Sequence, residues 1–168
     1  PVDREEVDRN QLVVFSGRQS HAAGAIFGRH DTFLSHHPYR FTVGIMENFA
    51  IHQEIVSAFR EKRWRDLGRW LNRYVQLREI ISPGGATNHI MEHLFRHLER
   101  EGVSYGGEMV GSMRGGGMCI FILTDKGREL VTTPDGRRIT RFQEELERLR
   151  RWEDPLCLAL QELYRTGG

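Results

Sequence analysis

Apolar positions along the chain fall into runs of two kinds, and the spacing inside each run predicts its element. Leu12-Val13-Val14-Phe15 is a continuous apolar run closed by Ser16-Gly17, which predicts a buried strand ending in a turn. Residues 18–40 mix small, polar and histidine positions up to Pro38 and predict a short helix or loop. From Thr42 the step changes to three and four. Ile45, Phe49, Ile55, Val56 and Phe59 predict one amphipathic helix, and Trp64, Leu67, Leu71, Tyr74, Val75 and Leu77 predict a second, with the break at Glu61–Arg63. Ser82-Pro83-Gly84-Gly85 is a stop signal. Thr87 then caps a third helix with Ile90, Met91, Leu94, Phe95 and Leu98 on its apolar side, ended by Glu101-Gly102.

The second half returns to strands. Val103–Val110 predicts one, and Met118–Leu123, an unbroken apolar run, predicts a central buried one. Pro134-Asp135-Gly136 is a turn signal between the β-prone runs Leu130–Thr133 and Arg138–Phe142. Phe142, Leu146, Leu149 and Trp152 mark a last helix, and Asp154-Pro155 starts a short further one to about Tyr164. The sum is an α+β fold, a small, mainly antiparallel sheet covered by helices. Residues 1–10 are polar and predict a lead-in or linker, and 11–168 a single domain.

Charge narrows the function classes. Lys+Arg is 24 against Asp+Glu 23 in 168 residues, a net charge of +1, where a nucleic-acid binder usually carries a basic excess. The arginines at 137, 138, 141, 148, 150 and 151 alternate with Glu144, Glu145, Glu147 and Glu153, the pattern of a solvated, salt-bridged helix face. Cys119 and Cys157 lie in apolar runs without a CxxC pattern, which reads as buried free thiols in a reducing, cytoplasmic compartment. No run approaches 18 consecutive apolar residues, so no membrane span is expected, and the charged start at Pro1 carries no visible signal peptide. His89, His93 and His97 follow at four-residue steps. Neighbouring pairs have metal-binding spacing, but beside Arg96 and Arg100 a polar helix face is the favoured reading and no metal site is expected. His36-His37 reads as a loop pair. Trp64, Trp70 and Trp152 read as core or interface anchors.

The candidate chemistry lies in Gly111-Ser112-Met113-Arg114-Gly115-Gly116-Gly117, between two predicted strands. Glycines allow close backbone approach to a ligand, successive N–H groups can converge on an anion, and Arg114 adds a positive charge. The alternative is a glycine-rich hairpin that merely turns the chain. No Gly-Lys-Ser/Thr follows, so this is not a Walker A loop. A strand rather than a helix comes next, so it is not a dinucleotide fingerprint.

The order of elements resembles the C-terminal domain of the GHMP kinases. The stretch Glu54–Gly68 is similar to that family's helix, short basic break and second helix, and Ile81-Ser82-Pro83 with Ala86–Ile90 to its next junction. Gly106-Gly107-Glu108-Met109-Val110-Gly111 followed by Gly115-Gly116-Gly117 resembles the family's third motif, roughly G-A-K-x-x-G-x-G-x-G-G. Leu12–Gly17 and then His21-Ala22-Ala23 resemble the opening of this region in the heptose- and fucose-kinase-like branch. The match covers residues 12–125.

The resemblance implies a ferredoxin-like sheet and an ATP- and Mg-dependent transfer of phosphate to a hydroxyl of a sugar, sugar phosphate or related metabolite. Gly111, Ser112, Arg114, Gly115, Gly116 and Gly117 would form the phosphate loop, and Ser16, Gly17 and His21 are candidates for acceptor binding. Two departures stand out. Met113 and Arg114 are bulky where the family has small residues, and the main ATP loop, P-x-x-x-G-L-G-S-S-A, occurs nowhere in the chain. The catalytic acid, the Mg ligands and that loop are expected on an N-terminal domain absent from this chain, so the chain alone is expected to be inactive. The partners implied are nucleotide, acceptor and that N-terminal domain, with the exposed face of the last helix a candidate homodimer surface. Two other readings stay open: a non-catalytic ligand-binding or regulatory domain of the same fold, and a protein-interaction domain.

Overall fold

The computed structural model describes residues 3–15, 24–82, 89–110 and 118–150. Helix α1 (Arg4–Asn10) leads into β1 (Gln11–Phe15). Helices α2 (Gly24–His36), α3 (Pro38–Arg60), α4 (Trp64–Ile81) and α5 (His89–Arg100) follow, then β2 (Ser104–Val110) and β3 (Met118–Leu123). A single-turn helix α6 (Asp125–Arg128), the hairpin β4 (Leu130–Thr132)–β5 (Arg138–Thr140) and helix α7 (Arg141–Arg150) complete the described chain.

The three-stranded sheet has the order β1-β3-β2, antiparallel throughout. Met118–Leu123 is its middle strand, as an unbroken apolar run requires when both faces are covered. Side chains alternate across the sheet. One face carries Met109, Cys119, Phe121 and Leu123, packed on Met91, Phe95 and Leu98 of α5 and Phe142 of α7. The other carries Tyr105, Ile120 and Ile122, packed on Ala58, Leu67 and Leu71 of α3 and α4. A third cluster, Ile51, Leu77 and Ile81, holds α3 to α4 farther along.

Several boundaries follow from local chemistry. Helix α3 opens with Pro38 in its first turn, where a missing N–H costs nothing. The joint to α4 turns on Lys62, a non-glycine residue at φ 60°, and Arg63 ties Glu61 and Asp66 across it. Helix α5 ends at Gly102, φ 70°. Thr124 caps α6 by accepting from Gly127 N–H.

Three expectations are corrected. Residues 4–10 are not a bare lead-in: Asp3 caps a helix there, Glu6 pairs with Lys62, and buried Asn10 bonds to Arg128. The stretch 24–36 is thirteen helical residues rather than a short helix or loop. His36-His37 is not a pair within a long loop, because His36 is the last residue of α2 and His37 is the single residue between it and α3. Thr87, Trp152, Cys157 and the 154–164 helix lie outside the described residues.

Candidate functional site

The glycine loop itself, Gly111 to Gly117 with Ser112 and Arg114, lies outside the described residues, as do Ser16, Gly17 and His21. The anchors of the loop are described. Val110 and Met118 are register partners across β2 and β3, so the seven intervening residues leave and re-enter the sheet side by side. Strand β2 carries the chain up to the loop, and its setting is built by three interactions.

The first is a bulge. The register shifts between Ser104 and Gly106, and Gly106 adopts φ 135°, which only glycine takes without strain. Ser104 Oγ accepts from Gly106 N–H at 3.0 Å. The second is Asn72 on α4. Its Oδ1 accepts from Gly107 N–H at 3.1 Å, and its Nδ2 donates to Glu99 Oε1 on α5 at 2.8 Å, so one amide joins two helices to the strand. Burial pushes the Glu99 carboxyl above its usual value, and the Asn72 bond partly offsets that. The third is contact without side chains. A Cβ on Gly68 would lie 2.7 Å from the carbonyl group of Tyr105, so α4 lies directly on the β2 backbone.

Just before the loop, Glu108 turns to the α3/α4 face. It pairs across the sheet with Ile120, and Ile120 with Val13, so the three form one row. Val13 is 51% exposed, and Met118, next along β3 on the same face, is 46% exposed, so this row is open at the loop end. Above it, the His52 ring of α3 meets the edge of Tyr74 of α4 at 4.9 Å, and the Arg78 guanidinium lies over Tyr74 at 5.3 Å. His52 Nδ1 is 3.0 Å from Asn48 O one turn back, which directs Nε2 outward. Glu108 is half-buried. Desolvation raises its carboxyl pKa, and the charges of Arg78 and His52 pull it back in part. His30 of α2 is lowered by burial and then by Arg78, so the same guanidinium bears on both. A shallow groove of about 460 Å³ continues from His52 along α3, past Phe49, Gln53, Val56 and Arg60.

Sequence reasoning missed Glu108, His52, Tyr74, Arg78 and Asn72. A signal for the first was present: a carboxylate in a strand beside a glycine loop, where the motif it resembles carries Lys. The others come from separate helices and converge only in three dimensions.

The histidine series is structural where it is described. His97 is 1% exposed, between α5 and α7, with Glu145 Oε2 at 3.3 Å and Arg148 Nη2 at 3.0 Å from Nε2, and Arg100 Nη2 at 3.2 Å from Nδ1. The His93 ring lies 6.2 Å from it, tilted by 41°. Among the described residues no group of three or more His, Cys, Asp or Glu side chains is placed to hold a metal. Cys119 is a buried free thiol, and burial pushes its pKa up to about 11. Trp64 and Trp70 pack against the clusters that join α3, α4 and the sheet. No helix among the described residues is long and apolar enough to cross a membrane.

No protein-family model matches the chain, and no curated protein matches it by sequence. Solved structures do match its fold. It is similar to L. major mevalonate kinase in complex with R-mevalonate, with a TM-score of 0.59 and 15% identity over 70% of this chain and 34% of that one. It is also similar to the Lin0012 protein from Listeria innocua, with a TM-score of 0.58 and 19% identity over 70% of this chain and 33% of that one. The chain thus spans about a third of the length of each. The fold is a small antiparallel sheet packed against helices, similar to about a third of that mevalonate kinase.

Proposed function

We propose that this chain is the C-terminal part of an ATP-dependent phosphotransferase that acts on a hydroxyl of a sugar, sugar phosphate or related metabolite. The observation that carries the reading is the β2–loop–β3 unit, a glycine-rich connection anchored by the Val110–Met118 pair inside a fold similar to that of a mevalonate kinase. Phosphoryl transfer needs positioning and charge neutralisation more than covalent chemistry from the protein. Backbone N–H groups of Gly111, Ser112, Gly115, Gly116 and Gly117 would hold phosphate oxygens, with Arg114 adding charge. ATP would supply the phosphoryl group and Mg²⁺ would offset its charge. By the family resemblance, the ion's ligands and the proton acceptor would come from an N-terminal domain of the same protein. Within this chain, Asn72 and the Ser104–Gly106 bulge would hold β2, and so the loop, in place.

Nucleotide titration of the full-length protein tests this. Gly115→Val should weaken ATP binding at least tenfold. Unchanged affinity would reduce the loop to a chain reversal, and tight ATP binding without transfer to any hydroxyl would favour the ligand-binding reading.

A further inference from the structure

Helix α3 has two sides of different character. Gly44, Ile51 and Ala58 are buried against the rest of the domain. The side turned away carries Tyr39, Val43, Met46, Phe49 and Val56, and all five are exposed, Tyr39 by 81% and Met46 and Phe49 by 67% each. At about 150–250 Å² per aromatic side chain, Tyr39 and Phe49 alone leave on the order of 300 Å² uncovered. The largest apolar patch on a monomer is usually about 300–600 Å², so the five together reach the size at which such a face marks a contact.

The pattern of this face specifies what fits it. Tyr39, Val43, Met46, Ala50, Gln53, Ser57 and Arg60 follow the alternating four- and three-residue steps of a helix-pairing seam. Phe49 and Val56 run along one edge of the seam, Arg40 and Glu54 along the other. Gln53, Val56, Ser57 and Arg60 stand at i, i+3, i+4 and i+7 and line the groove on α3. That spacing is the hole into which a facing helix inserts a side chain. The most exposed knob, Tyr39, stands at the opposite end of the same seam.

A second copy laid antiparallel joins the two ends. With the two-fold axis at Asn48, Tyr39 falls opposite Ser57, Val43 opposite Gln53 and Met46 opposite Ala50, and each contact occurs twice. A parallel copy would instead set Arg60 against Arg60. The charges agree with the antiparallel register. Arg40 and Glu54 are about 21 Å apart along one helix, too far to meet, and neither has a partner among the described residues. Across the axis, residues on the same edge come together, so Arg40 of one copy faces Glu54 of the other. Glu47 lies at the axis on that edge and is already paired with Arg73. A membrane-binding helix would carry a basic excess, whereas Arg40 and Arg60 are balanced here by Glu54 and Glu61.

We propose that α3 is a homodimer surface, on which two copies pair antiparallel with Tyr39 of each seated in the Gln53–Arg60 groove of the other. The proposal makes no use of the phosphotransferase reading. A single helix about 35 Å long lies at the low end of the roughly 800 Å² per partner of a stable interface, which sets the expected dissociation constant on the order of 1–10 μM.

Sedimentation equilibrium of the full-length protein tests it. Met46→Glu brings a carboxylate into the seam twice and should weaken dimerisation at least a hundredfold. The melting temperature of the dilute, monomeric protein should not change, because Met46 is exposed there. Arg40→Glu and Glu54→Arg should each weaken the dimer severalfold, and the double reversal should restore it. The two residues do not meet within one copy, so the rescue reads pairing between copies. A wild type still monomeric at about 100 μM, a dimer untouched by Met46→Glu, or charge reversals without rescue would each overturn the proposal. Vesicles of phosphatidylcholine and phosphatidylserine supply the counter-test: binding that Met46→Glu abolishes, by a protein that stays monomeric, would assign the face to a membrane instead.

Discussion

The two faces of the three-stranded sheet are built to different rules. On the α5/α7 face, Phe121 is fully buried between Phe95 at 4.9 Å and Phe142 at 5.1 Å, and Met109, Cys119 and Leu123 close the rest. On the α3/α4 face the packing is apolar around Ile122 but gives way toward the loop to Glu108, His52, Tyr74 and Arg78. One face is spent on stability, and the other keeps polar groups at its open end. One strand serves both, because alternation sends Met109 to one side and Glu108 to the other.

The comparison can be broken at the closed face first. Phe121→Ala should cost about 3–5 kcal/mol in denaturant unfolding, because the cavity lies between two other rings. A loss under about 1 kcal/mol would mean the face is loosely packed.

The next effect is a pH dependence from the same face. The Cys119 thiol is raised to about 11, so the folded state favours its neutral form. That contribution is complete below the ordinary thiol pKa and is lost as pH rises toward 11, roughly 2–3 kcal/mol in all. Cys119→Ala should flatten this alkaline limb, and the native thiol should resist alkylating reagents at neutral pH. Rapid labelling of the native protein would contradict the closed face.

Asn72→Ala moves to the seam between the faces. It strips Gly107 N–H and Glu99 of their partner and should cost about 1–3 kcal/mol. If β2 aims the loop, it should also weaken nucleotide binding, where Asn72→Asp would keep the acceptor for Gly107. An equal stability loss with ATP affinity intact would uncouple strand from loop.

The smallest effect, with the opposite sign, belongs to the open face. Glu108 has a raised carboxyl pKa, so its neutral form is favoured on folding and ionisation works against the fold as pH rises through that pKa. Glu108→Gln should therefore leave the melting temperature at pH 7 equal or higher, and wild type should gain on the variant as pH falls toward 4. A clear drop at pH 7 would make Glu108 a structural residue and level the contrast between the faces.

Much of the fold was legible because periodicity reports burial. Three- and four-residue steps located α3, α4 and α5, continuous apolar or β-prone runs located the strands, and Gly102 and Pro134-Asp135-Gly136 gave the stops. What stayed hidden depended on partners. Residues 4–10 look like solvent-exposed polar chain until Lys62 and Arg128 are placed against them. Residues 24–36 carry three histidine and arginine positions on a weakly amphipathic stretch, so no apolar stripe announces a helix. His97 reads as polar surface because its burial comes from α7, forty-eight residues away at Glu145. The setting of Glu108 is the extreme case, since His52, Tyr74, Arg78 and Glu108 come from α3, α4 and β2 and no local spacing relates them.

The Val110–Met118 pairing has a consequence for how such a site can change over time. Once the two ends of a connection are pinned together, its length and content weigh little on the domain: doubling a flexible loop costs only about 0.6 kcal/mol in closure entropy. Bulky replacements such as Met113 and Arg114 can therefore accumulate there while the sheet, held by Phe121 and its neighbours, stays the same. Under the phosphotransferase reading, sequence drift in the segment proposed to hold phosphate would be thermodynamically nearly silent, and the domain would keep its architecture after its ligand preference had moved.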